Sequence, residues 1–450
     1  MDKFNELRSK YPEFIYDSYT INDDENNINI VYKFEIPSLC IFNPQIIINK
    51  STIKNNNIDK ELLDYIVFHI GLIEMISYFK CTCSPNIIIK CGYLDESQIN
   101  WLKDLMYNGL GELLYKNNIT TTKEDLVNIK TTVNEKPTFN TNYVGKGNLI
   151  PVGGGKDSCV TLEILKNEEE NSCFIINPKD PSLLCAKAAG YDDENIIKLT
   201  RILDRQIVDL NSKGFINGHT PFSAIVAMTS YLCAYLLGKE NIVLSNESSA
   251  NEETVIGTNV NHQFSKSYEF EKSFNSYVKE TFKINLNYFS LLRGLSEFQI
   301  GMIFSKYDKY HEVFKSCNLG SKESTWKWCL NCPKCLFVFI ILSPHLYKEK
   351  LINIFGEDLF ERKDMLDTFL EIIGETEVKP FECVGTINEA KYAISTLINK
   401  LDKEDLPYLL KYYYENFELY LNEDNILGYN TENNLNEYYN KLVQEELNSD

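Results

Sequence analysis

Apolar and polar residues alternate over 28–34 and again over 39–48, the period-two pattern of half-buried strands. The pattern then changes. Residues 61–79 are apolar nearly all round, which predicts a buried helix rather than a surface one. A further strand is expected at 87–90 and a helix at 96–114. The stretch 131–141, with Pro137 and several Asn and Thr, is the best linker candidate. Together these elements predict an N-terminal α+β domain over 1–140.

From residue 148 onward strands and helices alternate. Strands are predicted at 148–152, 173–177, 195–199 and 241–244, with a helix at 158–166. A long apolar helix is predicted at 221–237, with Thr220 as its N-cap and Pro221 as its first residue. Strands separated by helices argue for a parallel sheet covered on both faces. The fold class expected for 141–345 is therefore α/β. Beyond 348 the pattern is helical, acidic and rich in tyrosine, as in 406–421, which predicts a C-terminal helical region over 346–450. The polar tail after Tyr429 is expected to fray.

Composition adds limits. A chain of 450 residues exceeds one ordinary core, and 44% hydrophobic with 12% aromatic residues supplies a globular interior rather than a disordered chain. The N-terminus lacks a basic region followed by an apolar stretch, and the apolar run 336–342 is too short to cross a bilayer. A soluble cytoplasmic protein with no membrane partner is expected. The net charge of −19 disfavours nucleic acid, whose binding rests on phosphate neutralisation. A small-molecule substrate fits better, and any anionic ligand must be met by local cations. In such a compartment thirteen cysteines do not form a disulfide framework, and Cys173, Cys185 and Cys233 read as small buried hydrophobes.

Candidate chemistry begins at Gly153-Gly154-Gly155-Lys156-Asp157-Ser158, between a predicted strand and a predicted helix. Successive glycines let backbone N–H groups turn inward as an anion nest, and the helix start behind them adds donors. Lys156 can add a charge, Asp157 can help hold magnesium, and Ser158 can donate to a phosphate. The spacing is neither a Walker A loop nor a dinucleotide fingerprint. Two polar runs follow the loop, NGHTPFS at 217–223 and SNESSANE at 245–252, at strand or helix ends where open α/β sheets bind ligands. A third, NHQFSKSYE, occupies 261–269. His219, Glu247, Glu252, His262 and Lys266 are candidates to line the site, whereas isolated histidines such as His69, His311 and His345 read as structural. Cys317 with Cys329, Cys332 and Cys335 gives four thiols, three at C-x2-C-x2-C spacing, suited to a structural zinc ion or an iron–sulfur cluster.

The glycine loop resembles the S-G-G-x-D-S signature of the PP-loop ATP pyrophosphatases, with Gly153 where many members carry serine. The three polar runs, together with FHIGL at 68–72 and NGLGE at 108–112, resemble the UDP-N-acetylmuramoyl-L-alanyl-L-glutamate epimerase (MurL) family within that superfamily. The resemblance covers roughly residues 30–345. It implies an adenine nucleotide alpha hydrolase-like domain binding ATP and Mg2+, and inversion of the terminal glutamate of a UDP-muramoyl dipeptide through an acyl-adenylate, with release of AMP and pyrophosphate. On that reading Gly153, Gly154, Gly155, Lys156, Asp157 and Ser158 serve the nucleotide, and the two proton-transfer groups lie among His219, Glu247, His262 and Lys266. Arg201, Arg205 and Arg293 are candidate anchors for substrate phosphates or carboxylates. Competing readings are 7-cyano-7-deazaguanine synthesis, tRNA thiolation, and a non-catalytic ATP-binding protein.

Overall fold

The computed structural model describes residues 2–55, 58–139, 142–317, 319–320, 327–424 and 426–449. Among them eleven strands form one continuous sheet: β1 (Glu13–Asp23), β2 (Asn27–Ile36), β3 (Cys40–Phe42), β4 (Gln45–Asn49), β5 (Asn86–Ile89), β6 (Asn128–Thr131), β7 (Asn148–Pro151), β8 (Ser172–Ile176), β9 (Ile196–Ile202), β10 (Asn241–Leu244) and β11 (Asn287–Ser290). Their spatial order is β11-β10-β7-β8-β9-β4-β2-β1-β5-β6, with β3 beside β2.

The stretch from β11 to β9 is parallel throughout. The chain runs outward from β7 through β8 to β9, then returns to the far side of β7 to lay down β10 and β11. Order therefore reverses between β7 and β10. That reversal is the switch point at which the loops leaving the strand ends diverge and open a crevice. β9 then pairs antiparallel with β4, Ile48 opposite Leu199, so the N-terminal strands extend the same sheet.

Burial follows the patterns that produced the predictions. β2 alternates buried and half-buried positions along its length, while β10 is buried at every residue. The 61–79 run forms helices Lys60–Glu74 and Ile76–Phe79. The run is long and apolar enough to span a membrane, but 89% of it is buried within the protein, and it packs on the helix Phe222–Leu237. It lies directly on the sheet: the hydroxyls of Tyr16 and Tyr32 donate to the carbonyls of Phe68 (3.3 Å) and Val67 (3.1 Å). A Cβ on Gly71 would come 2.0 Å from the Tyr16 oxygen.

Several boundaries differ from expectation. The strand predicted over 39–48 is two strands, because Pro44 has no N–H to donate. The helix predicted over 96–114 stops at Gly109 and restarts as Gly111–Lys116. The helix after the glycine loop is Lys156–Ile164, two residues earlier than predicted, so Lys156, Asp157 and Ser158 form its first turn. Pro221 rather than Thr220 occupies the cap of Phe222–Leu237, and no side chain caps it. The expected frayed tail instead holds a helix, Glu437–Leu447. Its Tyr439 hydroxyl donates to Asn148 Oδ1 (2.7 Å) at the start of β7. Strands β1, β6 and β11 were not anticipated. Cys173, Cys185 and Cys233 are fully buried, as expected.

Candidate functional site at the switch point

The glycine loop leaves β7 at the switch point. Each glycine has a different reason to be there. Gly154 has φ +85°, and a Cβ on it would meet the Pro181–Ser182 backbone at 2.7 Å. A Cβ on Gly155 would meet Ser316 Oγ at 2.7 Å. Gly153 has nothing within 4 Å of its would-be Cβ and faces a cavity of about 620 Å³. The N–H groups of the following first turn have no intrahelical partners and suit an anion. The Ser158 hydroxyl donates to the Gly155 carbonyl (2.9 Å), bracing the loop.

Lys156 does not project into the cavity. It is buried beneath the loop and pairs with Asp157 and with Glu297, itself buried at the start of the helix Glu297–Ser305. Burial works against the Lys156 charge, but the two carboxylates outweigh it and hold the ammonium protonated above its usual range. Burial also pushes the Glu297 carboxyl up to about 7, reinforced by nearby Asp157 and Glu247 and opposed by Lys156. Asp157 is held below the ordinary carboxylate range by Lys156, Lys334 and Lys266 despite burial. Carboxylate oxygens of Asp157, Glu247 and Glu297 lie within 4.8 Å of one another. This all-oxygen donor set suits a hard divalent cation.

A second group faces the loop across the cavity. His219 and His262 stack with ring centroids 4.2 Å apart. His262 Nδ1 lies 2.5 Å from Glu112 Oε2, and Lys116 donates to the other oxygen of Glu112 at 2.6 Å. A carboxylate only accepts, so Nδ1 carries the proton. Burial lowers His262, but Cys383 and Glu112 overcome it and raise the imidazole to about 9. Burial and the neighbouring His262 push His219 down to about 4, leaving it neutral near pH 7. Lys266 Nζ donates to Cys383 Sγ at 3.2 Å. Burial would raise the Cys383 thiol, but Lys266, His262 and Lys334 bring it down to about 6.

Arg293 braces this arrangement from within. It is fully buried, and its guanidinium donates to the carbonyls of Glu247 and Lys266, each at 2.7 Å, and to Glu271 at 3.0 Å. It is thus an internal strut rather than a substrate anchor. Arg201 is likewise engaged, gripping Glu74 with two bonds of 2.6 and 2.9 Å, and Arg205 is exposed.

The four cysteines converge on one point. The Sγ separations are 3.9 Å (Cys317–Cys332), 3.8 Å (Cys329–Cys335) and 3.5 Å (Cys332–Cys335). Four thiolates at about 2.3 Å from one zinc ion sit about 3.8 Å apart along a tetrahedron edge. An iron–sulfur cluster interposes several atoms and would hold them farther apart. Backbone N–H groups of Gly320 (3.1 Å) and Cys329 (3.4 Å) point at Cys317 Sγ, stabilising negative sulfur. The knuckle also carries Lys334 to the cavity wall, where it donates to the Cys383 carbonyl.

Of the predicted residues, Gly153, Gly155, Asp157, Ser158, His219, Glu247, His262 and Lys266 all line this one cavity. Glu252 does not; it pairs with Lys379 and borders a separate, more open hollow of about 1060 Å³. His69 is buried against the Tyr277 hydroxyl (2.6 Å), a structural role. Glu297, Lys315, Ser316 and Cys383 escaped the sequence reading as site residues. Ser296-x-x-Gln299 reads only as a helix start, and Cys383 lies in a stretch with no periodicity. Glu112 and Lys334 were visible only as parts of motifs.

The fold and cavity define an α/β protein with an anion-cradling loop at the switch point of a parallel sheet, faced by a histidine pair and a thiol. Comparison with known proteins is more specific. The model of the MurL N-terminal domain matches residues 5–291 and that of the MurL C-terminal domain matches 313–424. A protein of Xanthomonas oryzae pv. oryzae named UDP-N-acetyl-alpha-D-muramoyl-L-alanyl-L-glutamate epimerase is 34% identical over 344 residues, covering 74% of this chain and 75% of its own. Proteins of the same name from Micromonospora sp. and Salinispora tropica are 32% and 33% identical, covering 74% and 75% of this chain and 74% of each relative. The chain belongs to the MurL family. The cavity draws His219 and His262 from the first matched region, and Lys334 and Cys383 from the second.

Proposed function

We propose that this protein is an ATP-dependent epimerase that inverts the terminal L-glutamate of UDP-MurNAc-L-Ala-L-Glu, activating its carboxylate as an acyl-adenylate and releasing AMP and pyrophosphate. The observation that carries this reading is that the glycine loop and the paired histidines share one cavity. The activity named for the relatives supplies the substrate. The chemistry requires both halves of the cavity. A free carboxylate resists loss of its α-proton because the product is a dianion. Activation removes that charge and yields an enolate that fixed cations can stabilise.

The loop and first-turn N–H groups would hold the phosphates. Lys266, Lys315 and Lys334 line the cavity and supply the local positive charge that an anionic ligand needs in a chain of net charge −19. Asp157, Glu247 and Glu297 would hold Mg2+, which neutralises charge on the leaving pyrophosphate. The four cysteines would hold a structural Zn2+, the thiol spacing favouring it over an iron–sulfur cluster. The proton-transfer groups remain among His219, Glu247, His262 and Lys266. The low value of His219 suits a base and the high value of His262 an acid.

Pyrophosphate release tests the reading. Release should need both ATP and the L-Ala-L-Glu nucleotide and should accompany formation of the D-epimer. Release with ATP that is indifferent to the nucleotide contradicts it.

A further inference from the structure

We infer that Cys383 is the nucleophile of a Cys383–His262–Glu112 triad that takes the glutamyl group from the adenylate as a thioester, within the epimerase reaction proposed above. The inference rests on that reading.

Three observations converge. Cys383 lines the same cavity as the glycine loop, on the side of the histidine pair. His262 bonds to Glu112 through Nδ1 at 2.5 Å and interacts with the Cys383 sulfur, so a carboxylate orients an imidazole that in turn faces a thiol. That is the arrangement of an activated nucleophile: a reactive group, a base within reach, and a third group that fixes the base. Lys266 places an ammonium 3.2 Å from the same sulfur and Lys334 holds its backbone carbonyl, so the thiol has a fixed position and an electropositive setting. The charges facing Cys383 are Lys266, Lys334 and His262, with Glu247 and Asp157 behind Lys266. Both oxygens of Glu112 are engaged, one by His262 and the other by Lys116.

The step balances without an external reagent. The thiolate attacks the acyl carbon of the adenylate, the C–S bond forms, and the acyl C–O bond to phosphate breaks with its electron pair leaving on AMP. The α-proton of the thioester is removed by one group and returned on the opposite face by another. Water then attacks the carbonyl and the C–S bond breaks with its electron pair on sulfur, giving carboxylate and the Cys383 thiolate beside protonated His262. Neutral His219 takes one proton from that water, and the other passes to solvent. The thioester keeps the glutamyl α-carbon acidic while AMP departs, which separates activation from inversion. Neutral His219, stacked 4.2 Å from His262, is available to the α-proton.

The test is acid quench of wild-type enzyme turning over ATP and the L-Ala-L-Glu nucleotide, followed by peptide mass analysis, alongside Cys383→Ala and Cys383→Ser. Expected are a substrate adduct on the Cys383 peptide that hydroxylamine removes, and an AMP burst before free D-epimer. In Cys383→Ala inversion should fall by about 100-fold or more while ATP–pyrophosphate exchange changes little. A retained melting temperature and ATP affinity in Cys383→Ser show that the fold is intact. Inversion at the wild-type rate in Cys383→Ala overturns the proposal. So does loss of inversion with no adduct on the wild-type enzyme, which would assign Cys383 to proton transfer. Wild-type enzyme with no nucleotide-dependent pyrophosphate release removes the epimerase reading itself, and this inference with it.

Discussion

Lys156 shows how a residue can matter to a ligand it does not face. Its ammonium is sealed between Asp157 and Glu297, and the Glu297 side chain is as deeply buried as its own. Replacing Lys156 with Ala leaves a buried carboxylate without its partner, a change that costs about 3–5 kcal/mol. Urea unfolding of Lys156→Ala should show that loss, and adding Glu297→Gln should recover part of it. An unchanged unfolding midpoint in the single variant would remove Lys156 from the support of the loop. Cys383 gives a second prediction at this scale. An ordinary thiol ionises near about 8.5, whereas Cys383 is depressed to about 6 by Lys266, His262 and Lys334 against the effect of burial. A lowered value means that thiolate forms as pH rises through 6. Alkylation of Cys383 by iodoacetamide, followed by peptide mass, should therefore rise steeply near pH 6 and change little up to the point where His262 deprotonates, about 9. A midpoint above pH 8 would contradict the electrostatics. Legibility at this scale was uneven. His219, His262 and Lys266 stood in polar runs whose composition their surroundings did not require. Cys383 and Glu297 did not, because their partners come from segments far away in sequence.

At the scale of elements, the cysteine knuckle is tied to the cavity that holds the glycine loop. Lys315 and Ser316 precede Cys317, and Lys334 lies between Cys332 and Cys335; all three line the cavity. The Lys315 N–H donates to the Gly154 carbonyl at 2.8 Å, tying the knuckle to the glycine loop. Cys332→Ser should therefore lose bound zinc and weaken ATP binding by about tenfold or more. Metal analysis and calorimetry read the two effects separately. ATP affinity unchanged in a zinc-free variant would uncouple knuckle and loop. The C-x2-C-x2-C spacing made the cluster legible. The strands were legible where one face is buried and the other is not, as in β2, or where a short apolar run meets a turn, as in β7. β1 was missed because its polar half and the irregular pairing between Tyr16 and Ser18 mask any period. β6 (NIKT) and β11 (NYFS) are four-residue strands like β7, but they lack the aliphatic run that marks it.

For the whole molecule, the joint between β4 and β9 is where the N-terminal strands meet the parallel set. Arg201 on β9 reaches Glu74 and Ser77, whose helices cover the N-terminal strands, and both charged side chains are largely buried. Arg201→Ala should destabilise the protein by about 3–5 kcal/mol, measured by urea unfolding at constant ligand. A loss below about 1 kcal/mol, typical of exposed pairs, would show that the strut is dispensable. Pairing across that joint was not legible, since register between distant strands depends on how both faces pack. The strand order that places the glycine loop at the switch point was equally hidden, although the loop itself was plain. Everything proposed for the cavity converges on one event, the departure and return of the glutamyl α-proton after activation. The direct measurement is turnover of the L-Ala-L-Glu nucleotide with ATP in deuterium oxide, analysed by the mass of the product nucleotide and by the chirality of its glutamate after hydrolysis of the product. The account predicts D-glutamate carrying one deuterium at the α-carbon, formed only when ATP is present. D-glutamate formed without deuterium, or formed equally well without ATP, would contradict it.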